Sequence, residues 1–177
     1  VSKLEPTQNI AYIIAQHLSA DHPCKLTSLL DQSSDLTVVT AKSGMQLSAN
    51  TIYVLPYIHE IYFKDNTIIL EQAGSTTQPP RPSIDQFFNS LATSYTDHSI
   101  GVIFSGSGID GAQGCKAIKA AGGITIAQPA YSATFDSMPK AALQLANVDL
   151  ILTPEQTARK LIELAQNPHL LTLVESS

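Results

Sequence analysis

The stretch that decides the fold runs Ile100-Gly101-Val102-Ile103-Phe104, then Ser105-Gly106-Ser107-Gly108-Ile109-Asp110-Gly111, then Ala112 to Ala121, Gly122-Gly123 and Ile124-Thr125-Ile126-Ala127. Its first segment is almost continuously apolar instead of alternating, the pattern of a strand covered on both faces. A glycine-rich turn follows, then a helical stretch that Gly122-Gly123 ends, because glycine enters the left-handed conformation that closes a helix without steric cost. A second apolar strand comes next. Strand, helix and apolar strand in this order form the unit of a parallel sheet wound by helices.

The same alternation extends in both directions. Downstream, Pro139 to Ala146 reads as a helix with proline in its first turn, and Leu150 to Leu152 as a strand. Thr153-Pro154-Glu155-Gln156 is a capping box for a helix expected to bury Ala158, Leu161, Ile162 and Ala165. Upstream, Ser83 caps a helix whose Ile84, Phe87, Phe88 and Leu91 follow the i, i+3, i+4, i+7 template. Gly74 to Pro82 is a loop, and Glu60 to Phe63 and Thr67 to Leu70 are short strands joined at Asp65-Asn66. Thr51 to Leu55, Leu36 to Ala41 and Ile10 to Ala15 are further strands, and Pro23 opens a helix with Leu26, Leu29 and Leu30 on one side. The expectation is an α/β, doubly wound, mostly parallel sheet with a small antiparallel hairpin. At 177 residues the chain suits a single domain spanning 1–177.

Composition narrows the functions. Charged residues make up 14% and the formal net charge is −5, so clustered Lys and Arg for phosphate contacts are missing and a nucleic-acid partner is not expected. No apolar run is long enough to insert in a bilayer, and a cytoplasmic location is expected. Cys24 and Cys115 lie far apart and read as reduced core thiols.

In a doubly wound sheet the ligand sits at the carboxyl ends of the strands, which directs attention to the residues after Ala15, Phe104 and Ala127. Gly106 to Gly111 matches G-x-G-x-x-G, but Asp110 would then lie where a pyrophosphate must bind, and the next strand runs into Gln128 instead of a ribose-binding acid. A second reading makes Asp110 a cap of the helix that follows it. A third makes it the carboxylate that orients a catalytic histidine, and His17, directly after an apolar strand, is that candidate. Taken alone, His17 reads better as a residue that merely bounds a strand. Asp21 and His22 have no metal-ligand spacing, and His59, His98 and His169 read as surface or turn residues.

Four segments in order carry a more specific likeness: Ile14-Ala15-Gln16-His17-Leu18-Ser19-Ala20-Asp21-His22, Ile103 through Gly111, Ile126-Ala127-Gln128, and Phe135-Asp136-Ser137-Met138-Pro139-Lys140-Ala141-Ala142. Together with Pro82 to Ala92 they resemble the chemotaxis protein-glutamate methylesterase family, from about Asn9 to Ala165. The wording around His17 and the short loop before Pro82 look most like members fused to a receptor methyltransferase domain. The resemblance implies hydrolysis of glutamate methyl esters on methyl-accepting chemotaxis receptors, in some members also deamidation of receptor glutamines, with no cofactor and no metal. It implies a Ser-His-Asp triad in which His17 is the base and Asp110 its orienting acid, with Gly106, Ser107, Gly108 and Met138 around the oxyanion and cleft. The family usually has Met or Thr where Ser107 stands, and often a small polar residue where Ile109 stands. Its serine lies in a Gly-x-Ser-x-Gly-Gly turn after a first strand, and no such motif occurs in this chain. The expectation is therefore a methylesterase-like domain lacking that strand, its nucleophile turn and most of its first helix. The alternative is a catalytically dead relative kept for signalling or binding.

Overall fold

The computed structural model describes residues 2–7, 9–17, 26–56, 59–72 and 82–167. Strands β1 (Tyr12–Ile14), β2 (Thr37–Thr40) and β3 (Thr51–Val54) form a parallel sheet in the order β1-β3-β2. β4 (His59–Lys64) and β5 (Thr67–Gln72) make an antiparallel hairpin. Its turn residues Asp65 and Asn66 have φ of 49° and 60°, a conformation that Asn and Asp adopt more readily than other side chains do. β6 (Ile100–Ile103), β7 (Ile124–Ala127) and β8 (Leu150–Ile151) form a second parallel sheet, β6-β7-β8. Five helices accompany them: α1 (Leu26–Ser33), α2 (Ile84–Tyr95), α3 (Ala112–Ala120), α4 (Ser137–Ala146) and α5 (Pro154–Gln166).

Helices cover both faces because successive strand residues point opposite ways. Ile52 and Val54 of β3 pack with Leu30 of α1 and with Ala158 and Leu161 of α5. Tyr53 between them, and Leu55, join the opposite cluster with Phe87 and Phe88 of α2, Cys115 and Ile118 of α3, and Ala142 and Ala146 of α4. The hairpin contributes Ile61, Phe63 and Ile68 to that cluster, where the Phe63 ring lies 6.0 Å from Phe87 and 5.4 Å from Tyr95 between centroids. β7 divides likewise, Ile124 and Ile126 meeting Leu164 of α5 while Ala127 turns to the other face.

Three local expectations change. Leu29 is exposed, so only Leu30, with Leu26 beside it, anchors α1. In α5, Ile162 is half-buried, and Thr157 and Leu164 take the fully buried positions because the helix faces two clusters at once. Helix α4 starts at Ser137, two residues ahead of Pro139, which still sits in the first turn where its missing N–H costs nothing.

β1 and β6 are each an end strand of their sheet, and neither pairs with the other. Their side chains nonetheless share two apolar clusters: Ile100 with Ile10 and Ile14, and Ile103 with Ala11 and Ile13. The segments that leave these two strands meet at the carboxyl edge.

Candidate active site

His17 follows β1 by three residues, and Asp110 lies on the turn between β6 and α3. Nε2 of His17 donates to Oδ2 of Asp110 across 2.9 Å. Oδ2 also accepts from the Ile84 N–H at 2.7 Å, and Oδ1 accepts from Asp85 N–H at 3.0 Å and Gly111 N–H at 3.1 Å. Burial acts to raise the Asp110 carboxyl, but the His17 bond and the Ile84 and Asp85 amides outweigh it and hold the group below its ordinary value. Asp110 is thus an anion that only accepts, so the shared proton belongs on Nε2 of His17. In the neutral ring Nδ1 is then unprotonated and basic.

The structure makes Asp110 a cap, but of a different helix from the one that follows it. It closes the N-terminus of α2, whose remaining early donors are also satisfied. Ser83 N–H meets Glu60 Oε2 at 3.0 Å, and Gln86 N–H meets Ser83 Oγ at 3.3 Å. The positive end of the α2 dipole therefore faces the Asp110 charge, which further favours the ionised form.

The glycine-rich turn is laced to the loop before α4. Phe135 N–H donates to Ser105 Oγ at 2.9 Å, Gly106 N–H to Phe135 O at 2.9 Å, Met138 N–H to Gly106 O at 3.0 Å, and Gly108 N–H to Ser137 Oγ at 3.3 Å. Ser105 N–H is held by Gln128 Oε1 at 2.8 Å, and Gln128 is itself tied to Ser132 O at 2.9 Å. The N–H groups of the turn fall into two kinds. Those of Gly106 and Gly108 are engaged within the turn and its neighbour, whereas that of Ser107 has no partner among the described residues. Met138 packs its sulfur where a side chain at Gly106 would stand. Phe104, Ile109, Tyr131 and Phe135 are exposed around this edge.

The other candidates lie elsewhere. His59 is half-buried on β4, not in a turn, and His98 is exposed beside Asp97, with Nδ1 2.7 Å from Oδ1. Asp21, His22, Cys24 and His169 fall outside the described residues. Cys115 lies on the buried face of α3 and its thiol is pushed up to about 12, first by burial, so it is no nucleophile. Among the described residues no group of His, Cys, Asp and Glu converges as a metal site would require, and no described helix is long and apolar enough to cross a membrane. Sequence reasoning missed the parts played by Asp85, Gln128 and Ser137. Asp85 in a first helical turn looks like any acid near a helix dipole, and nothing local signals that its partners lie on another helix.

A family model described as CheB methylesterase matches residues 1–161. The chain belongs to the CheB methylesterase family. This is a family of carboxylic ester hydrolases. A putative protein-glutamate methylesterase/protein-glutamine glutaminase of Leptospira interrogans is 31% identical over 163 residues, covering 92% of this chain and 84% of the relative. A protein-glutamate methylesterase/protein-glutamine glutaminase of Caulobacter vibrioides is 31% identical over 156 residues, which are 86% of this chain and 45% of that longer protein. The crystal structure of the Thermotoga maritima CheB methylesterase catalytic domain superimposes with a TM-score of 0.77 at 27% identity, over 92% of this chain and 86% of that one.

Proposed function

We propose that this domain hydrolyses glutamate methyl esters of methyl-accepting chemotaxis receptors by a Ser-His-Asp mechanism whose serine is delivered from outside residues 1–177. The observation behind this reading is the 2.9 Å pair of His17 Nε2 and Asp110 Oδ2 at the carboxyl edge, with Asp110 on the same glycine-rich turn as the Ser107 N–H, which has no partner among the described residues. Because Nε2 is occupied by Asp110, the base is Nδ1. A serine hydroxyl brought to Nδ1 yields its proton there as its oxygen attacks the ester carbonyl. Asp110 keeps the Nε2 proton company and stabilises the imidazolium. The oxyanion takes the Ser107 N–H, and on collapse the proton passes from Nδ1 to the departing methanol. Water then repeats the sequence on the acyl-serine and frees the glutamate. The same steps with ammonia as leaving group describe glutamine deamidation, the second activity in the relatives' names.

The edges of β1 and β6, unpaired among the described residues, support the idea that a serine-bearing strand lies between them, ending in its turn beside His17. A receptor methyltransferase, fused or separate, would supply the ester that this reaction consumes, and both would act in the cytoplasm. The second reading, a binding domain without catalysis, is favoured by the lack of any Gly-x-Ser-x-Gly-Gly in this chain. Methanol release from methylated receptor by the full natural protein decides between them. Activity is expected, falling to background on His17→Ala and about 10⁴-fold on Asp110→Asn, the scale seen when an orienting aspartate is lost. Undiminished hydrolysis by His17→Ala would sink the mechanism, and a natural protein without a serine turn would leave the binding reading.

A further inference from the structure

Helices α2 and α3 exchange carboxylates. Asp110, on the turn leading into α3, accepts from the first amides of α2. Asp85, in the first turn of α2, accepts on Oδ1 from Gly111 N–H at 2.9 Å and from Gly114 N–H at 2.7 Å, in the first turn of α3. The Gly111 N–H also reaches Asp110 Oδ1 at 3.1 Å, so a single donor lies between the two carboxylates. Helix α3 has no cap of its own, since Gly111 occupies the cap position with φ 95° and no side chain. The approach is close: a Cβ on Gly114 would stand 2.5 Å from Cβ of Phe88 and 3.2 Å from the Asp85 backbone.

This arrangement sets two like charges near one another, and among the described residues no Lys or Arg pairs with either. Burial first, and then the Asp110 charge, push the Asp85 carboxyl up, against the pull of the Gly114 and Gly111 amides. A serine or threonine would cap a helix without that repulsion. What the carboxylate adds is a rigid link between the amides of α3 and the helix start on which Asp110 rests. We propose that Asp85 is a positioning residue for the His17–Asp110 pair: by gripping the first turn of α3 it fixes where Asp110 presents Oδ2 to the imidazole. Its bearing on catalysis rests on the reading of His17 as the base, but the geometry can be read without any turnover.

The readout is the imidazole itself. The chain with ¹⁵N-labelled histidine reports by NMR the Nε2–H tautomer of His17 and the exchange of that proton with water. Asp85→Ala is expected to speed this exchange about tenfold, the weight of roughly one ordinary hydrogen bond. Asp85→Asn, whose Oδ1 can accept the same two amides, is expected to restore the wild-type rate. Asp149→Asn, at the opposite end of α3, is expected to lower the melting temperature and leave His17 unchanged. If Asp85→Ala melts early but keeps the wild-type imidazole signal, or if Asp85→Asn fails to rescue it, the proposal is overturned. The unaltered chain supplies an arm that survives misfolding of any variant: the Gly111 and Gly114 amides must exchange slowly, and rapid exchange of both overturns the proposal too. A domain without esterase activity but with this imidazole behaviour breaks the proposed function and leaves the role of Asp85 standing.

Discussion

A half-buried carboxylate lies near each end of α3, and the two answer different partners. At the amino edge of the sheet Asp149 meets a fixed positive charge: Lys119 Nζ lies 2.8 Å from Oδ1, while Oδ2 takes Thr125 N–H at 2.8 Å and Thr125 Oγ1 at 2.6 Å. At the carboxyl edge Asp110 meets three backbone amides and an imidazole. Both carboxyls are held below their ordinary value, after burial has acted to raise them. The difference lies in the partner. Lysine keeps its proton throughout the neutral range, so the Asp149 end is a fastening and nothing more. Histidine can gain or yield a proton there, and the amides leave Asp110 a charge that follows that change without moving.

The sharpest way to break this contrast is to remove each acid in turn. Asp149→Ala takes the acceptor from the Thr125 amide and hydroxyl and leaves Lys119 only the Asn147 carbonyl, at a cost of about 2–3 kcal/mol. In the serine-bearing natural protein the methanol released per folded molecule should stay the same. Urea denaturation and the esterase assay together check this, and a loss of activity larger than the loss of folded protein would erase the distinction between the two ends.

A smaller effect is expected from Gly114→Ala. The added methyl must displace Phe88 or the Asp85 backbone, and overpacking of this kind costs about 1–3 kcal/mol. Thermal melts should fall accordingly. A neutral result would mean that α2 and α3 can separate freely, and that the exchanged carboxylates hold nothing in place.

The pH dependence of stability is the mildest test. Asp110 and Asp149 have lowered values, so their contribution is present above the unfolded carboxyl value and disappears as pH falls through the folded ones. Asp85 has the opposite sign. Its raised value means that ionisation costs stability, and that lowering the pH through the folded value relieves the cost. Urea midpoints should therefore hold or rise slightly on approach to the ordinary aspartate range from above, then drop below it. Asp85→Asn should remove the rise while the drop remains; a profile identical to wild type would contradict the assignment.

The carboxyl edge was legible in the sequence because two rules converge there: apolar runs mark parallel strands, and such strands deliver function just past their ends. Those rules directed attention to His17 and Asp110, the resemblance of the surrounding segments singled them out, and the structure brings their side chains together. The partners of Asp110 were not legible. A cap is sought in the helix that follows it, yet Asp110 reaches amides about 25 residues upstream, a choice made by how α2 packs on α3. Leu29 and Ile162 were misread for a related reason. Helical periodicity tells which residues share a side, but not how wide a stripe the neighbours cover, and α1 is covered only at Leu30 with Leu26 beside it. The division of labour among the amides of Gly106, Ser107 and Gly108 depends on the Phe135–Met138 loop, which no local pattern ties to the glycine turn.

The unpaired edges of β1 and β6 have a consequence of polarity. His17 and Asp110 both follow the carboxyl ends of their strands, so the two edges run the same way and bracket the same interval. A strand entering that interval has two orientations. Running with its neighbours it ends at the imidazole, and its next residues fall beside Nδ1. Running against them it ends at the opposite edge, near Ser99, away from the His17–Asp110 pair. The direction of the sheet thus acts as an address: only a strand running with its neighbours brings the residues after it to the His17 imidazole.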